Sequence, residues 1–209
     1  MATALTNMGV GYTIVSSSSS TGVPADMFAY DAVLWAGNPS AGAEHTAILT
    51  YLDGGGRLLV SDNDFGYFND GTPLYAGYFQ ADYLTDSGAD GIVTGVDIMS
   101  GIATDVSSDP FPDDFAIIGP DATGIFIAPT TNWAGSKIDN GNYKAVYLAW
   151  DFYYAGGSTA GDPVETEILA ALVDFSRASP ESSYKAAAVI GRDPSPFLHF
   201  IIIDRGSND

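Results

Sequence analysis

Residues 30–61, YDAVLWAGNPSAGAEHTAILTYLDGGGRLLVS, carry the three elements that bear most on the fold. The apolar centre from Ala32 to Ala36 has the unbroken character of a strand buried on both faces, and Gly37-Asn38-Pro39 ends it. From Ala41 to Leu52 the pattern lengthens to that of a helix, with Ile48, Leu49 and Leu52 on one side, and the glycines at 54–56 stop it. Arg57 to Ser61 is another buried strand. A strand, a helix and a strand at crossover spacing predict parallel neighbours in an α/β sheet.

Working outward, residues 2–8 read as the end of a helix stopped by Gly9 and Gly11, and GYTIV leads into a short strand. On the other side, YKAVYLAWDF (143–152) is the next strand and PVETEILAALVDFSRA (163–178) the clearest amphipathic helix. Pro163 suits a first helical turn, and Glu165 and Glu167 suit the positive end of the helix dipole. The middle, 72–130, is less regular, with a helix expected in PLYAGYFQADYL and short strands in IVTGV and DFAIIG. It reads as a β-rich insertion in a domain spanning 1–178. Residues 179–209 read as a linker that ends, unexpectedly for a linker, in the apolar strand FLHFIIIDRGSND.

A chain of 209 residues, 46% apolar, is long enough for one domain burying about 70% of its unfolded surface. The net charge of -19 arises from 26 acidic against 7 basic residues, although only 16% of the chain is charged. Scarce Lys and Arg argue against nucleic acid and against anionic membranes, whose phosphates those residues neutralise. Cationic ligands, Ca²⁺ and neutral polymers remain compatible. The lack of Cys removes disulfides, thiolate nucleophiles and Cys-ligated zinc. Few Lys with abundant Gly, Ser, Thr, Asp and Tyr fits an extracellular bacterial module. No apolar run approaches the ~20 residues of a membrane span, and MATALTNMGVGYTIV lacks the pattern of a signal peptide.

YDAVLWAG, YLDGGGRLLVSDNDFGY and NYKAVYLAWDF with a final helix ending in LVDF together resemble the class I glutamine amidotransferase-like domains. They are most similar to the divergent copies appended to secreted bacterial proteases, over about residues 3–176. The resemblance implies a flavodoxin-like, doubly wound, mostly parallel sheet whose first strand should precede ALTNMGVGYTIV. That strand is missing from the N-terminus. The expectation is that FLHFIIIDRGSND fills its slot, by permutation within one chain or by exchange between two chains in a homodimer, because an empty central slot strands backbone groups in the core. The resemblance also places the family's nucleophilic Cys at about Asp62 and its His near Asp151, Phe152 and Tyr153. Neither catalytic residue is present, so glutaminase chemistry is not expected.

In open α/β sheets ligands bind at the carboxyl ends of the strands. That rule gathers Asn38, Ser61, Asp62, Asn63, Asp64 and Asp151 around one crevice, with Asp204 as a further member. Two functions follow. One is a non-catalytic binding or structural accessory domain of a larger secreted protein. The alternative is a carboxyl-ester hydrolase with Ser61 as nucleophile in a strand-to-helix turn, Asp62 beside it, and His45 or His199 as base. No G-x-S-x-G surrounds Ser61; His45 reads more readily as a helix-surface or boundary residue and His199 more readily as a buried, hydrogen-bonded core residue. Asp62 and Asp64 supply oxygen ligands of the kind Ca²⁺ takes, without the order of an EF-hand loop; no other cofactor is indicated. Aromatics in YFNDGTPLYAGYFQADY and AWDFYYAGG read as core and flap packing or as exposed stacking platforms.

Overall fold

A computed structural model of the chain describes residues 2–16, 27–30, 32–39, 42–156, 163–176, 186–190 and 200–202. A short helix α1 (Ala2–Asn7) leads to β1 (Ile14–Ser16), and β2 (Ala32–Ala36), α2 (Ala43–Asp53) and β3 (Arg57–Ser61) form the strand, helix, strand unit. Then come α3 (Phe65–Asn69), β4 (Ala81–Thr85), β5 (Ile92–Gly95), β6 (Ala103–Asp105), β7 (Asp114–Ile117), β8 (Ala122–Ile127), β9 (Trp133–Asp139) and β10 (Lys144–Leu148). The long helix α4 (Pro163–Ser176), β11 (Ala186–Ile190) and β12 (Phe200–Ile202) complete the described elements.

The strands form one mixed sheet whose main path runs β1-β11-β2-β3-β10-β9-β8-β5-β6. Four pairings, joining β1, β11, β2, β3 and β10, are parallel. Seven others are antiparallel. This overturns the doubly wound, flavodoxin-like sheet and, with it, the resemblance to amidotransferase-like domains that implied it. The physical reason lies in the segment between β3 and β10. It continues the sheet past β10 through β9, β8, β5 and β6: the short connections between β5 and β6, β8 and β9, and β9 and β10 can join only antiparallel neighbours, and β5 pairs antiparallel with β8 as well.

A second correction concerns the slot between β1 and β2. Ala186–Ile190 occupies it, parallel to both neighbours, within the same chain. The segment expected there contributes β12, which pairs antiparallel with β11. The stretch PLYAGYFQADYL is likewise not one helix. Pro73–Tyr78 forms a wide helical turn capped by Thr72, whose Oγ1 accepts from the Tyr75 N–H at 3.2 Å, and the chain is extended again from Ala81.

Alternation along the central strands divides the core between two faces. Ala32 and Leu34 of β2, Leu59 of β3, and Val146 and Leu148 of β10 pack on one side with Leu5 of α1 and Ile168, Leu169 and Leu172 of α4. Val33, Trp35, Leu58, Val60, Ala145 and Tyr147 face the other way, against Ile48, Tyr51 and Leu52 of α2 and against Phe65, Tyr75 and Phe79. Tyr147 sits inside an aromatic cage, with ring centroids 5.0 Å from Phe115, 5.3 Å from Phe65 and 5.6 Å from Tyr75. Both faces of β3 and β10 are thus sealed, which leaves their carboxyl ends as the place where polar groups gather.

Candidate functional site

One hydroxyl ties the ends of β3 and β10 together. Ser61, fully buried, donates from Oγ to the Trp150 carbonyl at 2.8 Å and accepts from the Phe152 N–H at 2.7 Å. The chain leaves the ladder beyond Leu148, and a small side chain that both donates and accepts satisfies the backbone groups this exposes. Asp62 then turns the chain: its Oδ1 accepts from the Asp64 N–H at 2.9 Å, and α3 begins at Phe65. Burial pushes the Asp62 carboxyl well above the usual range despite that hydrogen bond, and the charges of Asp151, Asp64 and Asp109 push the same way. Asp64 is raised by burial too, and by Asp86.

Asn63 donates from Nδ2 to Asp109 Oδ1 at 2.5 Å. Asp109 Oδ2 accepts the Asp151 N–H at 2.7 Å, and its Oδ1 also accepts the Phe111 N–H at 3.4 Å. Asp151 caps the next short turn, Oδ1 accepting from the Tyr153 N–H at 3.0 Å. Desolvation lifts Asp109 to about 6 against the hydrogen bonds from Asp151, Asn63 and Phe111, while the charge of Asp151 adds to the rise. Asn38, after β2, accepts from Asn69 Nδ2 at 2.8 Å, and the same Nδ2 donates to the Phe65 carbonyl at 2.9 Å. Asn38, Ser61 to Asp64 and Asp151 therefore belong to one polar end of the sheet.

Behind this end lies a layer that the sequence did not single out. Asp113 is fully buried; its N–H donates to the Ala149 carbonyl at 2.7 Å and its Oδ2 accepts from the Tyr67 N–H at 3.4 Å. Its Oδ1 has no hydrogen-bond partner, and the buried hydroxyls of Tyr75 and Tyr147 have none other than each other. All three groups crowd Gly66, where a Cβ would lie 2.9 Å from Tyr75 Oη, 3.1 Å from Tyr147 Oη and 3.2 Å from Asp113 Oδ2. Burial, reinforced by Asp64, Asp86 and Asp62 over a weaker pull from the Tyr67 N–H, lifts Asp113 to about 9, so it is a neutral acid at physiological pH. Burial raises both tyrosines as well. The available signal for Asp109 and Asp113 was the run DPFPDD (109–114), in which two prolines exclude a central strand while three carboxylates stay close together.

His45 is nearly buried on α2 and donates from Nε2 to the Pro39 carbonyl at 3.2 Å. His199 and Asp204 lie outside the described residues. Among the described residues no group of three or more acidic or imidazole side chains has a metal-holding arrangement, Asp62 and Asp64 included. No helix among them is long and apolar enough to cross a membrane.

The sequence matches no protein-family model and no curated protein. Among solved structures, the mmIFT52 N-terminal domain is similar with a TM-score of 0.48 at 14% identity, covering 68% of this chain and 74% of that one.

Around the polar end, large aromatic side chains stand in solvent. Tyr67 is 58% exposed, Phe68 64%, Phe111 48% and Tyr153 60%. Tyr67 and Phe68 form an edge-to-face pair at 5.1 Å, with Tyr83 at 5.8 Å from Tyr67. Tyr153 and Tyr154 form another at 5.2 Å. The arrangement offers carboxylates and open ring faces together, and its one serine at the strand end is fully engaged with backbone.

Proposed function

We propose that the chain is a non-catalytic binding module whose ligand surface is the polar, aromatic-rimmed end of β3 and β10. The observation that carries this reading is the state of Ser61. Its proton is committed to the Trp150 carbonyl, its lone pair to the Phe152 N–H, and its side chain is out of reach of solvent. A nucleophilic serine instead needs its proton on a base and its oxygen facing substrate. The wealth of acid, the scarcity of Lys and Arg and the absence of Cys support, by composition, an accessory role within a larger extracellular protein.

The test is hydrolysis of short p-nitrophenyl esters by the purified chain and by Ser61→Ala, with circular dichroism to establish that both are folded. Both are expected to give the uncatalysed rate. Turnover that disappears in a folded Ser61→Ala chain would establish the ester hydrolase instead.

A further inference from the structure

We propose that Asn140-Gly141, in the turn from β9 to β10, is a self-processing site, where the chain's own backbone converts Asn140 to aspartate and isoaspartate with Asp139 as the base. The turn precedes Lys144, at the end of β10 opposite Leu148, so the inference is independent of the ligand surface. DNGN (139–142) holds the only Asn-Gly pair in the 209 residues. The other asparagines precede Met, Asp, Trp or Tyr, whose side chains crowd the main-chain nitrogen, or Pro39, which has no N–H to give up. Gly141 leaves that nitrogen open: its φ is +80° and nothing lies within 4 Å of where a Cβ would stand.

The turn supplies the other groups that the reaction needs. Asn140 Oδ1 accepts from the Asn142 N–H and from the Tyr143 N–H, both at 3.0 Å. These bonds hold the side-chain carbonyl against the main chain, and negative charge forming on Oδ1 meets two donors already in place. The Gly141 N–H donates to Asp139 Oδ1 at 3.3 Å, so the proton that must leave the attacking nitrogen already points at a carboxylate. Lys144 Nζ, 3.3 Å from Asp139 Oδ2, orients that carboxylate from its other oxygen. Gly141 N bonds to Asn140 Cγ as its proton passes to Asp139. The proton then goes to Nδ2, the Cγ–Nδ2 bond breaks, and ammonia leaves into solvent from an exposed residue, giving a succinimide. Water opens the ring and is the one co-reactant. Attack at Cγ gives aspartate, and attack at the main-chain carbonyl gives isoaspartate, whose main chain runs through the former side chain. Aspartate keeps an oxygen for the two N–H groups. Isoaspartate lengthens the main chain by a methylene in a turn that Asn142 ties to the end of α2, its Nδ2 donating to the Asp53 carbonyl at 3.1 Å.

The experiment follows Asn140 at neutral pH in the full chain, in Asp139→Asn, and in a synthetic peptide of residues 135–145, GSKIDNGNYKA, which carries the same groups without the fold. Peptide mapping by mass spectrometry detects succinimide and acid at position 140, and isoaspartyl methyltransferase labelling separates isoaspartate from aspartate. Asp139 is exposed, and asparagine there keeps an acceptor oxygen for the Gly141 N–H while losing the basic carboxylate; thermal melts check that both chains are folded. We expect Asn140 to be lost from the folded chain about tenfold faster than from the peptide, and from Asp139→Asn about tenfold more slowly than from the parent. A folded chain that reacts no faster than the peptide overturns the proposal, since the turn would then shield Asn140 rather than activate it. That comparison stands whether or not the variant folds. A folded Asp139→Asn chain that keeps pace with the parent overturns it as well, because the base would be idle.

Discussion

At the scale of single residues, Ser61 and Asp62 show how the same side chains serve two different trades. A serine at the end of a buried strand, followed by acid, is what a nucleophile elbow offers; it is also what a strand end needs when the neighbouring chain departs. The geometry fills both hydrogen-bonding capacities of Ser61 with the backbone of Trp150 and Phe152. Ser61→Ala therefore leaves the Phe152 N–H buried without an acceptor, and we expect a loss of about 1–3 kcal/mol of unfolding free energy. Urea denaturation measures it: the midpoint should fall with the slope unchanged. A variant as stable as the parent would mean that the clamp contributes nothing. Sequence could locate this residue at the polar end of the sheet, since position follows from the apolar run before it. It could not tell clamp from nucleophile, because that depends on where residue 150 returns in space.

At the scale of elements, α3 illustrates how tightly the polar end is built on the aromatic core. Its Gly66 faces Tyr75, Tyr147 and Asp113, all fully buried, and an added methyl would come within 2.9–3.2 Å of their oxygens. Gly66→Ala gains up to ~1 kcal/mol in helix propensity but overpacks a site that cannot give way, at about 1–3 kcal/mol, so the variant should melt lower than the parent. Gly77→Ala is the matched control: nothing lies within 4 Å of its Cβ and its φ is not positive, so it should be neutral or slightly stabilising. Differential scanning calorimetry of the pair separates packing from propensity. The elements also explain which parts of the fold the sequence could convey. Residues 32–61 combine long apolar runs, one helical period and clear stops, and β2 and β3 do pair in parallel. Elements from β4 to β9 are mostly three to six residues long, with register shifts in the β4–β7 and β8–β9 pairs. Short, bulged strands leave little period-2 signal. Gly124 and Gly135, which admit the Trp133 and Phe126 rings at close approach, blur it further. The strand between β1 and β2 was hidden for another reason: AAAVI is alanine-rich, and alanine is depleted in strands.

At the scale of the whole molecule, buried acids at one end of the central strands make stability depend on pH in a definite direction. Asp109 and Asp113, lifted to about 6 and about 9 chiefly by burial, keep protons in the folded chain that the unfolded chain, with an ordinary value of 3.8, has already released. The folded state binds the extra protons between the two values, so unfolding free energy falls as pH rises. The contribution is fully present below about pH 4, where both states are protonated. Asp109 ceases to add to the slope beyond about pH 6, and Asp113 beyond about pH 9. Asp113→Asn retains the shape and neutrality of the protonated acid without the cost of holding a proton. The variant should therefore match the parent near pH 3.5 and pull ahead steadily as pH rises. At pH 8 we expect it to be more stable by about 2 kcal/mol or more, roughly 4–8 °C in Tm for a chain of this size. Thermal melts of both proteins across pH 3.5–9 supply the comparison. Parallel curves, with a constant gap at every pH, would show that Asp113 carries its charge in the folded chain and that the buried acid beside Tyr75 and Tyr147 is stabilised by something other than its proton.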